Sequence, residues 1–406
     1  MQKLSVYITL DHDIKVGVLA EEKGNVHFEY DVEFIERGLE ISPLKLPLSQ
    51  SYYQNSSGPG LYRLPGVIYD SLPDGWGMLI MDRVFRNHGL QPERMGVLDR
   101  LAYLGSRAMG AMRYEPSKDL AIGEEFKHLD LGTLAKEADA ILRGDTESII
   151  KEIYLTGGSP GGARPKALVG LNTDTDEAVY GIQKLPVDFE YYVVKFPGHD
   201  DPVSIGIVEF VYSLMAKDCG IDMPDTHLVC CDEERYFAIK RFDRTATAKI
   251  HAHTLAGMLH SDFRKPEITY EHYLKVTAFL TNDNQMVQQA FRRMVFNVLA
   301  FNRDDHAKNF SFIMDKNGKW SLSPAYDLVY STGMGGWHTL DISGSKNPSR
   351  QEMLTLAIAH GIKKIKAQQI IEQVMQAVSR WRQLAKNYGV RASLINDIQK
   401  SMRSVG

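Results

Sequence analysis

Cysteine is scarce in this sequence. The 406 residues hold three, Cys219, Cys230 and Cys231, too few and too unevenly spaced for a disulfide framework or a metal site. That usage suits a reducing compartment. No apolar run approaches the roughly 20 residues a membrane helix needs, so no membrane role is expected. The N-terminal residues carry no charged-then-apolar leader, since Val6 to Leu10 is short and alternates with polar residues. A cytoplasmic, bacterial protein is the resulting expectation once the resemblance given below is added. The sequence also lacks a G-x-x-x-x-G-K-[ST] loop, and no helix-turn-helix or aromatic-basic interleaving marks a direct reader of DNA.

What is present is the composition of a globular protein of two or three domains: 44% apolar, 24% charged and 10% aromatic. The formal charge of −4 hides an asymmetry. From Phe291 to Gly406 there are 17 Lys and Arg against 8 Asp and Glu, a balance of +9, which leaves −13 for the rest. Such separation favours an anionic partner near the C-terminal third, although solvated helix faces explain it equally well. Seven basic residues fall between positions 363 and 391, where they could touch phosphates without reading sequence.

Three domains are expected: 1–116, 117–245 and 246–406. The first opens with strand patterns at Leu4–Leu10, Lys15–Ala20 and Val26–Tyr30, followed by the turn Leu72-Pro-Asp-Gly-Trp-Gly77 and a helix from Met78 to Asn87. Asp74 and Trp76 are expected only to pack that turn. Residues 117–148 are polar and helix-spaced, a bridge between modules. Beyond residue 250 the pattern is mainly helical, at Tyr270–Leu280, Gln285–Ala300, Gln351–Ala359, Ala367–Tyr388 and Ser393–Met402. His251 and His253 are expected as surface or capping residues, because no metal-ligand spacing surrounds them.

Three stretches carry chemistry. In Thr156-Gly-Gly-Ser-Pro-Gly-Gly-Ala-Arg-Pro-Lys166, glycines let backbone N–H groups approach an anion, and Lys166 opens a strand just beyond. A flexible surface loop is the plain alternative. In Tyr191-Tyr-Val-Val-Lys195, a lysine embedded in a buried-strand pattern is costly unless it is paired, and Glu209 on the following helix is the candidate partner. In Asn302-Arg-Asp-Asp-His-Ala-Lys-Asn309, with Asp327 further on, the order of groups is the one phosphoryl transfer requires. Asp304 would orient a hydroxyl, and Asn309 and Asp327 would hold magnesium from two sides. A polar turn is the alternative for that stretch taken alone.

Ser159 to Lys166, Val-Val-Lys-Phe-Pro, Lys-Arg-Phe-Asp-Arg, Asp-Asp-His-Ala-Lys-Asn-Phe-Ser and Ala-Tyr-Asp-Leu occur together in one order. In this they resemble the HipA family, the serine/threonine-kinase toxins of bacterial type II toxin–antitoxin systems. The Leu-Pro-Asp-Gly-Trp-Gly turn and Tyr-Leu-Gly…Met-Gly-Ala extend the likeness through the first module. The resemblance implies an α/β (α+β) protein-kinase-like two-lobed fold with a helical C-lobe and an added N-terminal β-rich subdomain. It implies ATP and Mg2+, with Asp304 as catalytic aspartate, Asn309 and Asp327 as metal ligands, and Lys195 and His306 near the phosphates. Gly161, Gly162, Ala163, Arg164 and Lys166 match the phosphate loop, while Lys240, Phe242 and Asp243 match the adenine and ribose contacts. Ser159 matches the serine this family autophosphorylates, and a dianionic phosphoserine would compete for the ground of the ATP phosphates.

Asp305 leaves open which of two adjacent carboxylates acts as base, and Pro160 stiffens the loop that would flip. By resemblance the partners are a HipB-like DNA-binding antitoxin and a protein substrate, with an aminoacyl-tRNA synthetase expected and glutamyl-tRNA synthetase the family precedent. DNA would be met only through the antitoxin. A catalytically silent nucleotide-binding scaffold or co-repressor, and a small-molecule kinase, remain as alternatives.

Overall fold

The computed structural model describes residues 2–118, 128–144, 162, 164–180, 184–202, 204–231 and 233–402. Alternating apolar and polar side chains build an antiparallel N-terminal sheet from β1 (Gln2–Thr9), β2 (Asp13–Glu22), β3 (Asn25–Tyr30), β4 (Tyr52–Gln54) and β5 (Met112–Glu115). Its strand order is β4-β3-β2-β1-β5. One face is solvated, and Leu4, Val6 and Ile8 point from β1 into the core.

A second antiparallel sheet joins β6 (His128–Leu129), β7 (Lys166–Leu171), β8 (Ala178–Tyr180), β9 (Glu190–Lys195), β10 (Thr226–Cys231) and β11 (Glu234–Lys240) in the order β10-β11-β9-β7-β8-β6. The helix Leu131–Leu142 lays Leu134, Ala138 and Ile141 onto this sheet beside Trp76, Ile80 and Val84 of the helix Gly75–Asn87. This corrects the expectation of a polar bridge. The helix is amphipathic, and its apolar stripe is a layer of the lobe.

The C-terminal part is helical apart from a three-stranded sheet, β12 (His251–Thr254), β13 (Ser311–Met314) and β14 (Trp320–Leu322). Its central helix, Asn284–Leu299, is capped by Asp283 and is buried without interruption from Ala290 to Leu299. The expected long helix Ala367–Tyr388 divides at Arg380 into Lys364–Ser379 and Trp381–Asn387, which lets Trp381 enter the core. One apolar core runs from Phe28 and Phe34 of the N-terminal module through Tyr212 and Phe296 to Trp381. No helix among the described residues is long and apolar enough to cross a membrane.

His251 and His253 are not surface residues. They lie on β12, both fully buried, because residues two apart on a strand share a face and this face meets the N-terminal module. His253 Nε2 is 3.0 Å from Ser42 Oγ, and its Nδ1 is 2.6 Å from Asp70 Oδ2. Asp70 also accepts from Thr254 N and Oγ1. His251 Nε2 meets the Ile41 carbonyl at 3.0 Å. Nearby, His260 Nε2 accepts the Gly66 N–H at 2.9 Å, and its Nδ1 faces the Ser56 carbonyl. Three imidazoles therefore fasten the first module to the C-terminal part.

Candidate active site

A cleft opens between the six-stranded sheet and the C-terminal part, lined among others by Lys166, Lys195, Phe242, His306, Asn309 and Asp327. In the antiparallel ladder Lys166 stands directly opposite Lys195, so both side chains leave the same face of the sheet. Two ammonium groups so placed repel unless carboxylates come between them. Lys195 Nζ lies 2.5 Å from Glu209 Oε1, on the buried side of the helix Ile205–Asp218, and also contacts Asp327 Oδ1. Burial alone pushes the Lys195 ammonium down, but Asp327 and Glu209 together overcome it and hold its pKa above the usual lysine range. Burial pushes the Asp327 carboxyl up; Lys195 and Lys166 outweigh this and hold it well below the usual range. Lys166 is lowered, chiefly by burial, with Asp327 opposing.

Asp327 sits in the left-handed region, φ +53, which is strained for a residue with a Cβ. Asn302 Nδ2 holds its carbonyl at 3.3 Å. Asn302 itself is tied to the end of the central helix through Asn297, and β13 follows the loop. The catalytic-type loop is thus clamped at both ends.

Within that loop the adjacent aspartates have opposite environments. Asp305, buried at 1% exposure, accepts from Tyr270 Oη at 2.5 Å, His338 Nδ1 at 2.9 Å and Thr339 N at 2.7 Å. Its oxygens brace the loop against the segment beyond Asp327. Asp304 is 64% exposed at the cleft mouth, with His306 Nε2 at 3.9 Å. The protein around it still strips enough water to raise its pKa; His306 opposes this, while Asp327 and Asp305 add to it. Asp304 is therefore the open carboxylate of the two, with a pKa above its usual value. Asn309 donates Nδ2 to the Asp304 carbonyl at 2.7 Å, which leaves its amide oxygen for a cation.

Among the described residues no group of three or more His, Cys, Asp or Glu could hold a metal by itself. The donor set nevertheless fits Mg2+, which keeps several waters and needs only one or two protein oxygens when phosphates complete its shell. Asn309 and Asp327 are the residues that would hold it.

Gly162 binds from the opposite wall. Its N–H donates to Asp74 Oδ1 at 2.5 Å, and its carbonyl accepts from Trp76 N at 3.2 Å. Its φ of +110 calls for glycine, and a Cβ there would stand 2.7 Å from Lys166 Nζ and displace that ammonium. Arg164 forks onto Asp201, Nε to Oδ2 and Nη2 to Oδ1, both at 2.9 Å. Ser159, Gly161 and Ala163 lie outside the described residues. Asp74, expected only to pack a turn, is a site residue: its second oxygen is 2.9 Å from Lys308 Nζ in the catalytic-type loop.

The connection after β11 departs from expectation in one respect. Phe242 lies against Tyr326 with ring centroids 5.6 Å apart, and both line the cleft. The Lys240 ammonium is committed to Glu190 at 2.5 Å, so the backbone there is what remains for a base. Asp243, expected at the ribose, is among the residues that line the cleft. Its carboxylate is 0% exposed and receives Arg241 Nε and Nη2, Arg244 Nη1 and Gly110 N. Burial pushes this carboxyl up, and the two arginines hold it far below the usual range.

A family model described as the HipA-like C-terminal domain matches residues 158–381, and one described as the HipA N-terminal domain matches residues 6–115. The chain belongs to the HipA family. A Haemophilus influenzae protein named "Putative kinase" is 31% identical over 153 residues, covering 34% of this chain and 44% of that protein. A Sinorhizobium fredii protein named "Putative kinase Y4dM" is 28% identical over 191 residues, covering 43% of this chain and 46% of that protein. The chain spans less than half the length of these curated relatives.

HipA from Shewanella oneidensis MR-1, solved in a toxin–antitoxin complex with HipB and operator DNA, superposes with a TM-score of 0.71. That match covers 98% of this chain and 95% of the other at 16% identity, which speaks for the fold. The HipA-family fold seen here is kinase-like and two-lobed, with a helical C-lobe and an added β-rich N-terminal subdomain. Within it, the sequence-based reading misses Asp74 and Lys308. No local pattern marks either, since they meet across most of the chain. The arginines that saturate Asp243 are legible in Arg-Phe-Asp-Arg, two residues before it and one after.

Proposed function

We propose that this HipA-family chain is a Mg-ATP-dependent protein serine/threonine kinase acting as the toxin of a HipBA-like module. The observation that carries the reading is the Lys195, Glu209 and Asp327 cluster at the cleft, with the open Asp304 carboxylate beside the cleft residue His306. ATP bound with Mg2+ supplies the phosphoryl group and the charge neutralisation this transfer needs. Lys195 and Lys166 present ammonium groups to phosphate oxygens, and Gly162 approaches them without a Cβ. Asp304 orients the accepting hydroxyl and takes its proton on a carboxylate oxygen, a task that its raised pKa favours.

The proposal extends to a HipB-like DNA-binding antitoxin as partner, as in the Shewanella complex. An aminoacyl-tRNA synthetase is the proposed substrate class, and Ser159 the proposed self-modification site. Mass spectrometry of intact protein and peptides, before and after Mg-ATP, run on wild type and Asp304→Ala, tests the enzyme reading. One phosphate gained at Ser159 in wild type alone is expected. Nucleotide binding without phosphate gain, in protein that starts unmodified, would overturn it in favour of a scaffold.

A further inference from the structure

A second cavity lies in the C-lobe and shares no lining residue with the cleft. It is about 650 Å3 and is walled by the helix Asn284–Leu299, by β13 and β14, and by the start of the helix Lys364–Ser379. That volume is in the range of small-molecule sites. Its lining includes Arg292, Arg293, Gln289, Lys366 and Asp222.

The two arginines are only 8% and 4% exposed, yet no carboxylate among the described residues pairs with either. Arg292 Nη1 donates to the Cys219 carbonyl at 2.5 Å and to Gln373 Oε1 at 2.7 Å, while Arg293 Nη2 donates to the Ser323 carbonyl at 2.6 Å. All three acceptors are neutral. Neither Nε has a partner, nor does the neighbouring Gln289 Oε1. Lys366 stands exposed at the rim with no ion pair of its own among the described residues. The lining therefore sets three cations against one carboxylate, the exposed Asp222. A buried guanidinium group without a counter-charge forfeits hydration that neutral acceptors replace only in part. An oxyanion relieves that cost, because the guanidinium fork matches carboxylate and phosphate geometry.

We propose that this cavity binds a small oxyanion-bearing molecule, its phosphate or carboxylate held by Arg292, Arg293 and Lys366. The wall that Arg293 grips runs from Ser323 through Ala325, whose N–H donates to the Asp222 carbonyl at 2.7 Å, to Asp327. A ligand there would bear on the segment that carries the magnesium carboxylate. The binding itself does not depend on the kinase reading.

Calorimetric titration of the full chain at fixed ionic strength tests the site, with inorganic phosphate in one arm and malonate in the other. At least one probe binds wild type, and the stronger identifies the oxyanion. That binding persists in Lys195→Ala, which alters the nucleotide cleft. It weakens at least tenfold in Lys366→Glu and is lost in Arg293→Gln. If Arg293→Gln fails to fold, the exposed Lys366→Glu decides alone. Binding of neither probe, binding unchanged in Lys366→Glu, or binding abolished by Lys195→Ala overturns the proposal.

Discussion

One carboxylate, Asp74, takes the Gly162 N–H on one oxygen and the Lys308 ammonium on the other. It thereby ties the N-terminal module to both the glycine loop and the catalytic-type loop. Asp74→Ala releases Gly162 and strands a buried ammonium, so the apparent KM for ATP should rise about tenfold or more, and stability should fall by about 3 kcal/mol. Asp74→Asn keeps an acceptor for Gly162 and should recover part of the nucleotide affinity. Nucleotide titration and urea unfolding of both variants measure the two effects separately. Equal affinities in wild type and Asp74→Ala would deny the loop-holding role.

The neighbours Asp304 and Asp305 should fail in different ways. Asp304→Asn, at an exposed position, should leave the thermal midpoint nearly unchanged and reduce phosphoryl transfer by about 10²–10⁴-fold. Asp305→Ala removes the acceptor shared by Tyr270, His338 and Thr339 and should cost about 3 kcal/mol. Calorimetry beside a phosphorylation assay separates them. A variant of Asp305 that folds with wild-type stability would contradict the bracing role.

Activity should fall on acidification, because the Asp304 pKa is raised by burial and by nearby carboxylates. In the proposed transfer Asp304 acts as the ionised form, so rate should be full above this raised pKa and lost as pH falls through it. The acid limb of the pH–rate profile should therefore lie above the ~4 of an ordinary aspartate. His306→Ala removes the opposing influence and should move that limb further up.

Stability should follow two other groups. Burial pushes His251 and His260 from 6.5 down to about 4, and His260 Nε2 must stay unprotonated to accept from Gly66. As pH drops below ~6.5 the unfolded chain takes up these protons first. Stability is then full above ~6.5 and declines toward pH 4, by roughly 3 kcal/mol for each histidine as an upper figure. Urea midpoints at pH 7.5 and 5 should differ accordingly, and less so in His260→Gln.

Glu209→Gln leaves Lys195 with Asp327 alone. Phosphoryl transfer should drop about 10- to 100-fold, with a smaller change in stability. Single-turnover assays at saturating ATP report the loss, and an unchanged rate would remove Glu209 from the site.

Short-range signals were legible in the residues themselves. The spacing from Asp304 to Asn309 and the lysine set in a buried strand pointed to the groups that the fold gathers in the cleft, and most helices fall within a few residues of the periodicity. Partners distant in the chain were not legible. Asp74 carries no local mark of Gly162 or Lys308, and Asp305 reads like Asp304 until Tyr270, His338 and Thr339 close around it. His251 and His253 read as surface residues because a strand of four residues offers little periodicity, and their spacing of two is its one trace.

The hydrogen-bonded chain from Ser42 through His253 to Asp70 bears on inheritance. Its outer members come from the N-terminal module and its middle member from β12, so the chain closes only where both parts meet. A recombination that exchanged the first module for a relative's, with apolar residues at both outer positions, would leave the His253 imidazole sealed in the interior without either partner. The two halves of this chain are therefore expected to descend together, and hybrids joined near residue 116 should fold only when Ser42, Asp70 and His253 come as a set.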